Sequence, residues 1–282
     1  MMSGFFKLVR IEHALFLSIA VIIGETVAIG GMPALTPLIL LSIIVPALNG
    51  MAAFALNDYV DVKTDKINKR TDRPLVSGEI KPASAIAIAV ACYAASIVGG
   101  FFINAIAFVI VLIFSFFSIA YNLWLKDRPL VGNIYVASTM GIPFIFGNIV
   151  VSQSIGIAII VLSSLGFISG FGREIVKSIQ DMKGDRMARR SRTLPFIVGK
   201  RNAAIIASFL YFLFLPLTAL PFFYGLKPNL FSILLIFIAD ISFLYMALRL
   251  PFDQKGAFLK RCRNLSLIAL FIGLIGLLLA SL

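Results

Sequence analysis

Histidine, cysteine and charged residues are scarce in this sequence, and each shortage excludes a class of site or protein. One histidine and two cysteines are present, which is too few for a zinc site built from those side chains. Cys92 lies in a predicted membrane span and Cys262 in a loop on the reducing side, so no disulfide is expected. Charged residues make up 13% of the chain, about half the share usual in soluble domains. The sequence also contains neither a Walker-type glycine-rich loop nor a Ser-His-Asp set.

Long apolar runs are, by contrast, abundant. Apolar residues make up 60% of the chain, and the mean hydropathy is +1.01. A helix needs about 20 apolar residues to cross a bilayer. We therefore predict an all-α, multi-pass membrane protein, a single domain over residues 1–282 with about nine transmembrane helices around a cytoplasm-facing polar cavity. The predicted spans cover roughly residues 13–31, 35–56, 83–102, 104–122, 131–151, 155–177, 202–223, 229–249 and 264–282.

The net charge is +12, and nearly all the basic residues lie on one side of the predicted membrane. Lys227 is the only basic residue that the predicted topology places on the opposite side. Because loops rich in Lys and Arg stay in the cytoplasm, we expect the N-terminus and both acidic motifs there, and the C-terminus outside the cell membrane. These cations suit anionic membrane lipids. Nucleic acid is not an expected partner, because the cations lie in short loops without a soluble domain, and the oligomeric state stays open.

A stretch rich in acids and bases, NDYVDVKTDKINKRTDRPLVSG, covers residues 57–78 between two apolar runs. Asn57, Asp61 and Asp65 recur at intervals of four, so in a helix they would share one face. Oxygen ligands without His or Cys suit Mg²⁺, which often binds a few carboxylates together with a substrate phosphate. Taken alone, the stretch is equally compatible with a solvated loop of mixed charge between spans.

A second acidic face favours the metal site. Glu174, Lys177, Asp181 and Asp185 stand at i, i+3, i+7 and i+11, at the end of an apolar span and ahead of the basic segment RMARRSR. Two such faces, in cytoplasmic loops at about 57–82 and 173–201, are predicted to form two halves of one diphosphate–metal site.

These motifs resemble those of the UbiA-type intramembrane prenyltransferases, and the resemblance covers nearly the whole chain. It rests on N-D-x-x-D-x-x-x-D at 57–65, R-P-L-x-S-G at 73–78, Y-N-x-x-L-K at 121–126, Gly132-Asn133 with Ala137, and D-x-x-x-D at 181–185. It implies transfer of a prenyl group from a prenyl diphosphate donor to a lipid acceptor, with two Mg²⁺ ions as cofactor. The reaction passes through an allylic cation that water destroys, which explains why such an enzyme lies in a membrane.

The resemblance and the charge pattern together give three sets of candidate residues. The candidate metal ligands are Asn57, Asp58, Asp61, Asp65, Asp181 and Asp185. The candidate substrate-binding residues are Lys66, Arg70, Arg73, Lys126, Asn133, Arg173 and Lys177. The candidate catalytic residues are Asp61, Tyr121, Lys126, Glu174, Asp181 and Asp185.

The acceptor is the least constrained part of the prediction. Arg173 and Lys177 beside Glu174 suggest an anionic acceptor that Glu174 positions or deprotonates, although Glu174 and Lys177 can equally form an ordinary ion pair. The segments R-E-I-x-K at 173–177 and T-L-P at 193–195 most resemble the archaeal ether-lipid branch of the family. This implies geranylgeranyl diphosphate as donor and geranylgeranylglyceryl phosphate as acceptor. Ser178 stands where that branch carries an acid.

Two alternatives remain open. The acceptor can be an aromatic quinone precursor or a tetrapyrrole instead of a phospholipid. The chain can also be a cation or lipid transporter, but transporters usually place polar residues near the bilayer midplane on broken helices. Here nearly all acids lie at one face, with Glu25 and Asp240 as exceptions that should face protein or water. The aromatic residues Phe114, Phe116 and Phe117 are predicted to line a prenyl tunnel.

Overall fold

The computed structural model describes residues 2–67, 69–189 and 193–282, without the side chains of 2, 3 and 183–189. Within these ranges the chain forms helices and turns and no strand. The helices are α1 (Met2–Val9), α2 (Ile11–Ile29), α3 (Pro37–Ile67), α4 (Pro74–Ser77), α5 (Pro82–Ile103), α6 (Ala105–Leu123), α7 (Val131–Val151), α8 (Ile157–Arg189), α9 (Leu194–Val198), α10 (Lys200–Leu217), α11 (Leu220–Phe223), α12 (Leu230–Arg249) and α13 (Gly256–Ser281). A 3₁₀ turn, Leu125–Asp127, connects α6 to α7.

The all-α prediction and the number of membrane spans are confirmed. Nine segments of the described chain, in α2, α3, α5, α6, α7, α8, α10 with α11, α12 and α13, are long and apolar enough to cross a membrane. The chain is therefore a multi-pass membrane protein. The two intramembrane acids face protein, as expected. Glu25 is fully buried and accepts a hydrogen bond from Ser42 on α3, and Asp240 accepts one from Thr218 at 3.0 Å.

Both motifs are helical, as their spacing assumed, so the loops predicted at 57–82 and 173–201 begin too early. Helix α3 continues to Ile67, past the predicted end at 56, and α8 continues to Arg189. Neither Gly nor Pro occurs between Asn57 and Ile67, so nothing in the sequence breaks the helix where it becomes polar. Both motifs therefore lie on helical extensions of membrane spans.

Helix α7 lies between α2 and α8, and glycines permit the close contact. A Cβ atom on Gly147 would lie 2.1 Å from the backbone oxygen of Val21 on α2. On the other side, a Cβ on Gly166 of α8 would lie 2.3 Å from the backbone oxygen of Met140. Small residues at such crossings let helix backbones approach closely. The Gly147 crossing lies in the half of the bundle away from the acidic motifs.

Two groups of helices pack on opposite sides of α7. One group is built on α3, α5 and α6, with Ala52, Ala55, Ala89 and Tyr93 in its core. The other joins α8, α10, α12 and α13 around Tyr211 and Phe243, whose rings are 5.1 Å apart. The space left between the groups, at the motif end, contains the candidate site.

Candidate functional site

A cavity of about 1000 Å³ brings the two acidic motifs together. Its charged mouth is lined by Asn57, Asp61 and Asp65 from α3 and by Glu174 and Asp181 from α8. Tyr121, Lys126, Asn133, Arg70, Arg73, Arg173 and Lys177 also line it. The structure therefore gathers most of the predicted site residues around one space.

Asp61 is held by an amide and a lysine. Its Oδ2 atom accepts a hydrogen bond from Asn57 Nδ2 at 3.1 Å, and its Oδ1 atom accepts one from Lys126 Nζ at 2.5 Å. Asn57 also donates to Asn122 Oδ1 on α6 at 2.9 Å. Lys126 comes from the 3₁₀ turn after α6, so α3 and the end of α6 together fix the first half of the site.

Asp58 has a different role from the other acids of its motif. It is 1% exposed, and its Oδ1 atom accepts hydrogen bonds from Arg10 and Arg73, both at 3.0 Å. Arg10 lies between α1 and α2 in the left-handed region, with φ 48°, and its guanidinium lies over the Phe54 ring. Burial, followed by the neighbouring charge of Arg73, lowers the pKa of Arg10 to about 10, so it stays cationic at neutral pH. Asp58 therefore positions two arginines, and we do not retain it as a metal ligand.

The predicted cations of the 66–73 segment divide into two kinds. Arg73 lines the cavity, with its Nε atom 3.8 Å from Asp65. Arg70 also lines it and forms a bidentate pair with Asp72, both contacts at 3.0 Å. That pair raises the pKa of Arg70 and holds the pKa of Asp72 below its ordinary value. Lys66 is exposed and is not among the cavity-lining residues of the described chain.

The second motif places a buried carboxylate between two cations. Glu174 is 4% exposed, 3.5 Å from Arg173 Nη1 and 3.3 Å from Lys177 Nζ. The ion pair that the spacing allowed is thus present, and both cations still line the cavity. Asp181 lies there too, whereas the Asp185 side chain is outside the described residues.

Two further predicted residues connect helices at the mouth. Asn133 on α7 donates to the Ser178 hydroxyl on α8 at 3.0 Å. Tyr121 stacks at a tilt against Tyr135, with ring centroids 5.5 Å apart. Phe114 lines the cavity as predicted. The prediction is wrong for Phe116 and Phe117, which are not among the cavity-lining residues of the described chain and are 64% and 44% exposed. Two residues of helix turn Phe116 about 200° away from Phe114.

The donor atoms at the mouth fit a magnesium ion. The Asn57 amide and the Asp61 and Asp181 carboxylates supply hard oxygen ligands to one space, and the cations beside them suit phosphate. Among the side chains that the structure describes, no group of three or more His, Cys, Asp or Glu could hold a metal by itself. Mg²⁺ commonly takes only one or two protein carboxylates and completes its shell with phosphate and water.

Two arginines of the mouth were not predicted as site residues. Arg10 and Arg263 both line the cavity, and Arg263 on α13 interacts electrostatically with Asp181, Arg70 and Arg173. In the sequence their only signal is their charge next to an apolar run, and neither belongs to a spaced motif.

Comparison with known proteins agrees with this site. The model of the "UbiA prenyltransferase family" matches residues 17–272. The digeranylgeranylglyceryl phosphate synthase of Archaeoglobus fulgidus is 35% identical over 98% of this chain and 94% of its own. The synthase of that name from Thermococcus kodakarensis is 32% identical over 99% of this chain and 98% of its own.

Solved structures share the fold. One, from work on digeranylgeranylglyceryl phosphate synthase in membranes, has a TM-score of 0.75 and 28% identity, covering 99% of this chain and 98% of that one. A UbiA homologue from Archaeoglobus fulgidus bound to DMAPP and Mg²⁺ has a TM-score of 0.64 at 18% identity, covering 97% and 99%. The chain belongs to the UbiA prenyltransferase family.

Proposed function

We propose that this protein is a magnesium-dependent digeranylgeranylglyceryl phosphate synthase of archaeal ether-lipid biosynthesis. It transfers the geranylgeranyl group of geranylgeranyl diphosphate to the free glycerol hydroxyl of geranylgeranylglyceryl phosphate. The observation that carries the proposal is a second cationic set, Arg173 and Lys177, beside Asp181 and in the same cavity as the first motif. The names of the relatives support the same acceptor.

The first half of the site handles the donor. Asn57, Asp61, Asp65 and Asp181 would hold Mg²⁺, with Asp185 assigned to the same ligand set by its motif. When bound, Mg²⁺ offsets the negative charge that develops on the departing pyrophosphate. Lys126 and Arg73 contact the diphosphate, with Arg70 at the rim.

Bond cleavage leaves a cation that the walls protect. The C1–O bond of the donor breaks, and pyrophosphate leaves with the electron pair. The apolar walls exclude water from the allylic cation. The ring faces of Tyr121, Tyr135 and Phe114 stabilise its charge.

The second half of the site handles the acceptor. Arg173 and Lys177 bind the acceptor phosphate by charge-assisted hydrogen bonds. The glycerol hydroxyl oxygen attacks C1 of the prenyl cation and forms the new ether bond, and the hydroxyl proton passes to the Glu174 carboxylate. Glu174 lies between the two cations, so it is held next to the phosphoglycerol group that they bind.

The position of the site in the cell follows from the distribution of charge. Nearly all Lys and Arg residues lie on the side of the two motifs, so we place the mouth and the N-terminus in the cytoplasm and the C-terminus outside. A diphosphate made in the cytoplasm then meets the site directly. Family membership argues against the transporter alternative.

The test compares acceptors in detergent-purified protein with labelled geranylgeranyl diphosphate. Geranylgeranylglyceryl phosphate should be the best acceptor, ahead of its dephosphorylated alcohol and of an aromatic quinone precursor. EDTA should abolish transfer, and added Mg²⁺ should restore it. Better use of the aromatic acceptor, or full activity in EDTA, contradicts the proposal.

A matched pair of variants tests the phosphate contact. Lys177→Met should raise the acceptor KM about ten- to a hundredfold, because a charge-assisted hydrogen bond contributes roughly 1.5–3 kcal/mol. The donor KM should change little. Lys66→Met removes an exposed lysine of the same type and serves as control. An equal effect of both variants would remove Lys177 from the acceptor site.

A further inference from the structure

The apolar part of the cavity lies on both sides of α7. Two residues of that helix, both of which line the cavity, show this most directly. Phe144 packs in a cluster with Leu274 and Leu277 of α13, whereas Phe146 packs with Val111 of α6. Positions two apart on a helix point about 200° apart. Helix α7 therefore presents one face to each side of the cavity.

Close helix crossings make α7 a partition between these sides. At Gly147 and Gly24 the backbones of α2 and α7 are so close that an added Cβ would lie 2.1 or 2.2 Å from a backbone oxygen. Gly166 makes a comparable contact from α8. No side chain separates the helices at these points, so a lipid chain cannot pass between them there.

Beyond the mouth, the residues that line the cavity form two sets, one on each side of α7. On one side, which we name the donor arm, are Gly50 and Ala53 of α3 with Val111 and Phe114 of α6. On the other side, which we name the acceptor arm, are Phe214 of α10, Ala239 of α12, and Gly273 and Leu274 of α13.

We propose that each arm takes one of the two lipid chains that the reaction joins. This inference rests on the proposed function, because only an acceptor that itself carries a prenyl chain needs a second apolar arm. An aromatic acceptor would leave that arm without a chain to bind. The substrate class assigned to the acceptor arm is a long isoprenoid chain attached to a phosphoglycerol head.

The positions of the charged residues decide which chain enters which arm. Ala53 lies one helical turn from Asn57, so the donor arm begins directly at the first motif, where the diphosphate binds. The acceptor arm begins below Glu174 of α8 and Arg263 of α13, next to the cations assigned to the acceptor phosphate. Along α13 it extends from Arg263 to Leu274, about 16 Å at 1.5 Å per residue.

The polar pair Asp240 and Thr218 lies in the wall of the acceptor arm. Thr218 donates to Asp240 Oδ2 at 3.0 Å, and the buried Oδ1 atom has no partner within the described chain. Hydrocarbon is an unfavourable neighbour for such an oxygen. The acceptor chain therefore packs on the side of Ala239, Gly273 and Leu274, away from this pair.

Two bulky substitutions test the assignment. A Cβ on Gly273 would lie 3.5 Å from Ala239 Cβ, an ordinary contact, so Gly273→Phe fits the backbone and fills the acceptor arm. Ala53→Phe fills the donor arm. Ala91→Phe, on the exposed face of α5, is the matched control. Each protein is assayed with long- and short-chain forms of the phosphoglycerol acceptor and of the prenyl diphosphate.

We expect each substitution to raise the KM of one substrate, by an amount that depends on the length of that substrate's chain. Gly273→Phe should raise KM for the C20 acceptor at least about tenfold relative to a C5 acceptor, because the lost burial grows with each carbon. Its donor KM should stay near that of the wild type. Ala53→Phe should raise the KM of the C20 donor more than the KM of the C5 donor. A rise in donor KM for Gly273→Phe, or equal effects on long and short chains, overturns the inference.

A measurement on the wild-type protein keeps the inference testable if a variant does not fold. A phosphoglycerol acceptor with a photoreactive group at its chain end should label α10, α12 or α13. Labelling of α3 or α6 overturns the assignment. If the wild type does not use the phosphoglycerol lipid, the proposed function fails and this inference fails with it. If the wild type uses that lipid but the label is found on α3 or α6, or the variants do not show the expected chain dependence, only the two-arm inference fails.

Discussion

At the scale of single residues, acids of one motif do different work according to what packs against them. Asp61 faces the cavity with Asn57 and Lys126, whereas Asp58, three positions earlier, is buried against two arginines. Their spacing is compatible with a shared role, but their partners come from different parts of the chain. The charge that each carboxylate meets therefore decides its function.

We expect Asp61→Ala and Asp181→Ala each to lower turnover at least about a hundredfold, because each removes an oxygen ligand from opposite walls of the proposed metal site. Both proteins should remain folded, as judged by extraction and gel filtration. Asp72→Ala is the comparison, since Asp72 pairs with Arg70 at the rim and its side chain is 63% exposed. It should cause a much smaller loss. Retention of a large part of the turnover by Asp61→Ala would exclude that residue as a ligand.

The sequence could predict the residues that recur at helical spacing but not those that meet across the fold. Asn57, Asp61 and Asp181 follow a regular interval and line the cavity as expected. The Arg10–Asp58 pair joins residues 48 positions apart, and no local pattern indicates it. Spacing alone therefore includes Asp58 among the candidate metal ligands, because it does not show which arginines pack against that carboxylate.

At the scale of helices, hydropathy predicts where the membrane spans lie. It does not predict where α3 and α8, the two helices that carry the acidic motifs, end. The apolar run of α3 stops near residue 56, yet the helix continues to Ile67. No Gly or Pro interrupts residues 57–67, so the helix can continue beyond its apolar part. Helix α8 likewise continues past its apolar part to Arg189, so spans predicted from hydropathy alone are shorter than the helices at both motifs.

We expect Gly147→Ala to destabilise the protein by about 1–3 kcal/mol, the usual cost of overpacking. The added Cβ would lie 2.1 Å from the Val21 backbone oxygen, so α2 and α7 would have to separate. The midpoint of thermal unfolding in detergent measures the effect. Gly31→Ala is the control, because no atom lies within 4 Å of its added Cβ. Equal midpoints for the two variants would show that the α2–α7 contact is looser than described.

At the scale of the whole molecule, charge distribution and an odd number of spans predict the orientation. A reporter fused after Leu282 should lie outside the cell, and one inserted near Lys69 should lie in the cytoplasm. The two readouts must differ, because the structure places an odd number of described spans, α5 to α13, between these points. Reporters on the same side would contradict the proposed topology.

The predicted all-α fold, its number of spans and its polar cavity are confirmed, but the position of α7 was beyond prediction. Gly24, Gly166 and the pair Gly141 and Gly147 lie on three different helices, and glycine is frequent in membrane helices for several reasons. Only the packed structure shows that these glycines meet backbone atoms of neighbouring helices. The division of the apolar cavity follows from that packing.

The position of α7 also has a consequence for the product of the proposed reaction. Once the ether bond forms, a single molecule has one chain on each side of the helix, joined at the glycerol beside the mouth. Neither chain can follow the other through one arm, because α2, α7 and α8 are in backbone contact. The two chains must therefore leave their arms in one event, and we expect departure of the product to be slower than binding of either substrate.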